Sequence, residues 1–289
     1  MKHRLSLAAA GIAAALAAAA APADSQAPAR GGPTSAPAAA PSYADLADLG
    51  LTAPIAVHVR TTRAVALKDE QAAGVRPGLA RLYVEADIVS LLRSPSGLPS
   101  RIAYVVDLPR TAKGKAPKLK KGTEFLLLAH PVAARPAEIR LAAPDAQIAY
   151  SPLAAEQLRS ILREAAGPEP APRITGIGRA FHVPGSIPGE SETQIFLQTA
   201  ENRPVSLTVL RRPGQTPIWA VALSEIVDDA AAPPQRDTLL WYRLACTLPR
   251  TLPRQSLAEA DREGAAAIQA DYRFIVERLG PCTRSRARS

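Results

Sequence analysis

Apolar and polar residues alternate with period two in several segments of this chain, the pattern of strands that bury one face. In 55–60, Ile55, Val57 and Val59 fall on one side. In 80–92, Leu82, Val84, Ala86 and Ile88 take one face and Arg81, Tyr83, Glu85 and Asp87 the other. A Pro/Ser/Gly turn at 94–99 leads into a returning strand over 101–108. Shorter strands are predicted at 124–129 and 138–141, with an edge at 148–150. The period then changes. Ser151 caps a helix, Pro152 opens it where a missing N–H costs nothing, and Leu158, Ile161, Leu162 and Ala165 recur at helical spacing until Gly167.

The Gly/Pro tract 167–172 reads as a boundary. Beyond it, strand signals recur at 174–183, 194–199, 205–211 and 218–223. The segment 238–246 is read as one more strand, with Leu240, Tyr242, Leu244 and Cys246 on one face. A final helix is predicted from the capping box Ser256–Glu259, with Ile268, Ile275, Val276 and Leu279 on its apolar side and Gly280-Pro281 as its stop. A short helix over 43–49, capped by Ser42 and ended by Gly50, precedes the first strand. The fold expected is mainly β (α+β): two small antiparallel barrel- or sandwich-like modules, 43–167 and 168–289, each followed by a C-terminal helix.

The N-terminus follows a different rule. Lys2 and Arg4 precede an Ala-rich apolar run from Leu5 to Ala21, then the small residues Ala21-Pro22-Ala23. This order predicts a signal peptide over 1–23, cleaved before Asp24. The competing reading is a retained helical anchor. Residues 24–42, rich in Ala, Pro and Gly, read as a disordered linker. No later apolar run approaches the ~20 residues of a spanning helix. The mature chain is therefore expected in a bacterial periplasm, without a transmembrane segment. In that oxidising space Cys246 and Cys282 form the one possible intrachain disulfide; two reduced thiols are the alternative.

Motifs for catalysis are weak. Gly185-Ser186-Ile-Pro-Gly189 resembles a nucleophile elbow, but Pro184 stands where that motif needs glycine, so a rigid turn reads better. Gly176-Ile-Gly178 lacks the third glycine and the long helix of a dinucleotide loop. The mature chain's histidines, His58, His130 and His182, are isolated, and Asp228-Asp229 lacks alternating oxygen ligands; no metal or cofactor is expected. The pairs Glu85/Asp87 and Glu190/Glu192 are ordinary on exposed strand faces. Trp219, Trp241 and Tyr242 read as core before they read as a stacking platform.

Charge adds two local features, a cationic loop and a cationic tail. The formal net charge is +9, yet residues 44–166 hold 17 basic and 12 acidic side chains, six of the basic ones in 110–121. Residues 167–289 hold 15 and 13, three of the basic ones being Arg284, Arg286 and Arg288. Without that loop and tail each half is −1. Arg110, Lys113, Lys115, Lys118, Lys120 and Lys121 are the candidate contacts for a polyanion; the plain alternative is a solvated hairpin tip. The loop has no aromatic residue on which bases could stack, and export argues against nucleic acid as partner. The leading expectation is a non-enzymatic envelope module binding an envelope protein or an anionic envelope polymer. A hydrolase acting on an envelope substrate is the alternative.

Overall fold

The computed structural model describes residues 40–223 and 231–286. The expected signal peptide, the linker up to residue 39, the Asp228-Asp229 pair and Arg288 lie outside the described residues.

The alternating segments assemble into two antiparallel sheets. The first contains β1 (Ile55–Ala66), β2 (Leu79–Arg93), β3 (Arg101–Pro109), β4 (Glu124–Pro131) and β5 (Ile139–Leu141), in the order β3-β2-β1-β4-β5. A short strand, β6 (Gln147–Ala149), pairs with β4. Strand β1 pairs with both β2 and β4 and carries three register shifts against β2, the irregularities that bend a strand. A parallel bridge between Ala103 and Glu138 brings β3 beside β5, so the sheet is nearly a closed barrel. Its interior is the alternating set read from sequence: Val57 and Val59, Leu82 and Val84, Ile102 and Val106, with Phe125 and Leu127.

Strand β4 is apolar from Phe125 to Ala129 because both its faces are buried there. Phe125, Leu127 and Ala129 point into the barrel. Leu126 and Leu128 point outward, against α1 (Tyr43–Thr52) and α2 (Pro152–Ala166). Ser42 and Asp45 form a capping box that starts α1. Gly50 does not end this helix. It lies within it, where a Cβ would come 2.8 Å from Leu158 of α2, so the glycine permits close helix packing. The Arg93 guanidinium instead bonds the carbonyls of Gly50 and Ala53 at the helix end.

The second sheet runs β10 (Ile218–Ala222), β9 (Val205–Arg211), β8 (Ser191–Thr199), β7 (Ile174–Pro184). Ile195, Leu197, Leu207 and Val209 face inward against α4 (Arg262–Leu279) and α3 (Leu239–Ala245). Two expectations are corrected here. Residues 239–245 are helical, not a strand: Thr238 caps the segment by accepting from the Trp241 N–H, and Asp237 before it takes φ 58°. A seven-residue apolar run does not reveal its period. The last helix starts at Arg262, with Asp261 as its cap, not at Ser256. The Ser256 segment is a single 3-10 turn (Arg254–Leu257), and Glu259 pairs with Arg179 rather than closing a capping box.

One buried cluster takes side chains from α1, β4, α2, the second sheet, α3 and α4, so the hydrophobic core continues across the Gly/Pro tract. Cys246, at the end of α3, is bonded to Cys282, just past α4. Among the described residues no helix is long and apolar enough to cross a membrane.

Candidate functional site

The basic loop connects β3 to β4 at one end of the barrel. Its backbone is fixed. Arg110 N–H donates to Gly78 O, Gly114 N–H to Thr111 O, and Gly122 N–H to Thr61 O of β1. Gly114 and Gly122 take φ 71° and 87°, a region that favours glycine. Ala116 and Leu119 turn inward onto the barrel core, while Lys113, Lys115, Lys118, Lys120 and Lys121 are exposed. The Arg110 guanidinium donates to Leu79 O and Gly114 O, so it ties the loop down.

The surrounding barrel arginines have another fate. Arg81 grips Asp107 with two hydrogen bonds of 2.7 and 2.8 Å, Arg60 holds Glu124, and Arg101 and Arg63 pair with Asp87 and Glu85. Arg101 holds the Asp87 carboxyl below the usual carboxylate range, with Lys121 and Arg60 adding to the effect. Among the described residues, none of the five loop lysines has a carboxylate within ion-pair distance. The Glu85/Asp87 pair is thus neutralised by arginine. His58, 5% exposed, stacks on Tyr150 and meets Glu124 at 2.9 Å.

The tail was expected as a second cationic patch, and the structure docks it. Arg284 binds Asp48 through two nitrogens, and Arg286 binds Asp145 likewise. Ser285 donates its N–H and hydroxyl to Asp45, and Arg286 N–H completes that carboxylate. Burial pushes the Asp48 carboxyl up, but the bonds from Arg284 and Tyr242 outweigh it and hold it below its ordinary range. The Arg286 hydrogen bond does the same for Asp145. Neither described arginine of the tail is free for an outside anion.

His182 reaches a hydroxyl, in an order that differs from a nucleophilic triad. Its Nδ1 lies 2.9 Å from Thr193 Oγ1, and Thr193 donates to Asp271 Oδ2 at 2.5 Å. The single hydroxyl proton is committed to Asp271, so Nδ1 carries the proton toward Thr193. The hydroxyl sits between imidazole and carboxylate, and Thr193 and Asp271 are both fully buried. Arg211 also binds Asp271, so the group anchors α4 to β8 and β9. Gly185-Ser186-Ile-Pro-Gly189 is the turn between β7 and β8, closed by Gly185 N–H to Glu190 O. Among the described residues no group of three His, Cys, Asp or Glu side chains could hold a metal ion.

Trp219 and Trp241 are 6% and 3% exposed, and Trp241 Nε1–H donates to Leu279 O. Tyr242 does not join them; its hydroxyl donates to Asp48, and burial, then that contact, pushes its pKa up to about 12. The ring packed on Trp241 is instead that of Tyr43 in α1, edge-on at 6.1 Å, while Phe274 of α4 lines the same cavity as the tryptophans. No family model matches this sequence, and no curated protein is similar to it.

Proposed function

We propose that this chain is an exported, non-enzymatic binding module of the cell envelope, and that it takes an anionic polymer on the lysine loop of its barrel. The observation that carries the reading is the loop's construction. Two inward apolar side chains and backbone bonds to Gly78 and to Thr61 of β1 hold the loop, and its five lysines are exposed with no carboxylate within ion-pair distance among the described residues. A tip that only kept a strand edge soluble would need no such anchoring. Lysines carried on an anchored backbone leave less chain entropy to lose on meeting phosphate or sulfate than those on a free loop. The disulfide is compatible with export, and an envelope offers phosphorylated polymers rather than nucleic acid.

The test is retention of the folded protein on immobilised heparin as salt is raised. Replacing Lys113, Lys115, Lys118, Lys120 and Lys121 by glutamine should move elution to clearly lower salt, because every ammonium removed is one fewer group that releases counterions on binding. Urea unfolding should stay within about 0.5 kcal/mol of the parent, as for exposed sites. Unchanged retention rejects the proposal.

A further inference from the structure

The second sheet carries a cavity that the loop does not use. It measures about 570 Å³, within the usual range for small-molecule sites. Its described walls include Ile218 and Trp219 of β10, Trp241 of α3 and Phe274 of α4, with Arg236 and Arg278 beside them. Both tryptophans of the chain stand here. The Arg236 guanidinium lies 5.0 Å from the centre of the Trp241 ring, and Arg278 lies 5.2 Å from that of Phe274. Among the described residues neither arginine has a carboxylate partner. That sets them apart from Arg60, Arg81, Arg284 and Arg286.

We infer that this cavity binds a small organic anion with a flat apolar body, an aromatic carboxylate or sulfonate. The walls select the body. Ile218, Phe274 and a proline pair, Pro233 and Pro234, offer apolar surface to a flat body, with the largely buried Trp219 and Trp241 behind them. The two guanidiniums select the charge. Each is held on a ring by a cation–π contact, so little order remains to be imposed when an anion arrives. A neutral ring would gain only the apolar walls, and a cationic one would meet two like charges.

The full-length protein is titrated with 8-anilinonaphthalene-1-sulfonate, following energy transfer from the two tryptophans. N-phenyl-1-naphthylamine serves as the neutral counterpart. One saturable site is expected. The variant R236Q/R278Q should weaken the sulfonate about tenfold or more and leave the neutral amine within about twofold. The variant R236K/R278K, which keeps both charges, should retain most of the affinity, and circular dichroism should be unchanged in both. The five-lysine loop variant should bind like the parent. No saturable binding overturns the proposal. So does equal weakening of both probes in R236Q/R278Q, or failure of the loop variant to bind the sulfonate.

Discussion

Replacing Asp45 by asparagine tests whether the docked tail contributes to folding. The Asp45 carboxylate is fully buried and has no guanidinium in contact; it is held by neutral donors alone. Oδ2 accepts from Ser42 N–H at 2.9 Å, Ser285 N–H at 3.0 Å and Ser285 Oγ–H at 2.5 Å, and Oδ1 accepts from Arg286 N–H at 3.2 Å. Asparagine keeps the shape. Its oxygen can serve the three donors at Oδ2, now without charge, which weakens bonds worth about 1.5–3 kcal/mol each to those of neutral groups, about 1 kcal/mol each. Its NH₂ then faces Arg286 N–H, donor against donor, and orphans it at about 1–3 kcal/mol. Relief of the buried charge offsets part of this. The net expectation is a destabilisation of about 2–3 kcal/mol at neutral pH, read from urea unfolding. The sign with pH is fixed. Burial pushes the Asp45 carboxyl up, but the bonds from Ser285 and Ser42 outweigh it and hold it below its ordinary value. The unfolded chain therefore binds its proton first as pH falls. Asp45 stabilises fully above the ordinary carboxylate range, and this stabilisation disappears as pH drops through the depressed folded value. The gap between parent and D45N must shrink in acid. In a chain ended after Thr283 the substitution should cost far less, since the tail donors are gone. A destabilisation under about 0.5 kcal/mol in the full chain, or an equal one with and without the tail, refutes the reasoning.

Two further outcomes follow from the same region and from the second sheet. Replacing Cys246 and Cys282 by serine opens a cross-link between residues 36 apart and should cost about 3–4 kcal/mol in urea unfolding, on the chain-entropy model; reducing the parent should reproduce the shift, and a change below about 1 kcal/mol contradicts the pairing. Asp271→Asn removes a fully buried charge from Arg211 and Thr193 and should cost about 2–4 kcal/mol, with faster amide exchange along α4; exchange as slow as in the parent would show that the helix is anchored elsewhere.

What the sequence displayed was local. The barrel interior could be read because Leu82, Val84 and Ala86 alternate with Arg81, Tyr83 and Glu85, and each strand's two faces meet different surroundings. Ser151-Pro152 marked a helix start because cap and first turn lie within three residues. The reading failed at 239–245, where the strand alternation of Leu240, Tyr242 and Leu244 also fits two turns of helix, and a threonine cap decides. It failed again at Ser256, whose spacing to Glu259 imitates a capping box. The bridge from Ala103 to Glu138 closes the barrel with no local sign, and the tail's partners lie 141 to 241 residues away in sequence. Nor can any spacing bring Phe274 to Trp219; only the packing of α4 on the sheet does that.

The net charge has two chemistries inside it. The chain has 28 arginines and seven lysines. Arg81, Arg284 and Arg286 each meet a carboxylate with two nitrogens on two oxygens, a match to the planar fork that a lysine ammonium cannot copy. These pairs join β2 to β3, and the C-terminal segment to α1 and to the turn between β5 and β6. Lysine, a compact and strongly hydrated charge, is concentrated where the chain leaves the barrel wall, at 113–121. Arginine therefore carries the internal ion pairing seen between strands and between the tail and the body of the fold. Among the described cations with no carboxylate in ion-pair distance are the five lysines on one anchored loop, and Arg236 and Arg278 at an aromatic cavity of the other sheet. The two sites differ in kind. Hydrated ammonium groups on a convex loop suit a repeating polyanion and should weaken steeply with salt, whereas guanidiniums laid on rings at a cavity suit a single anion with an apolar body and should weaken much less.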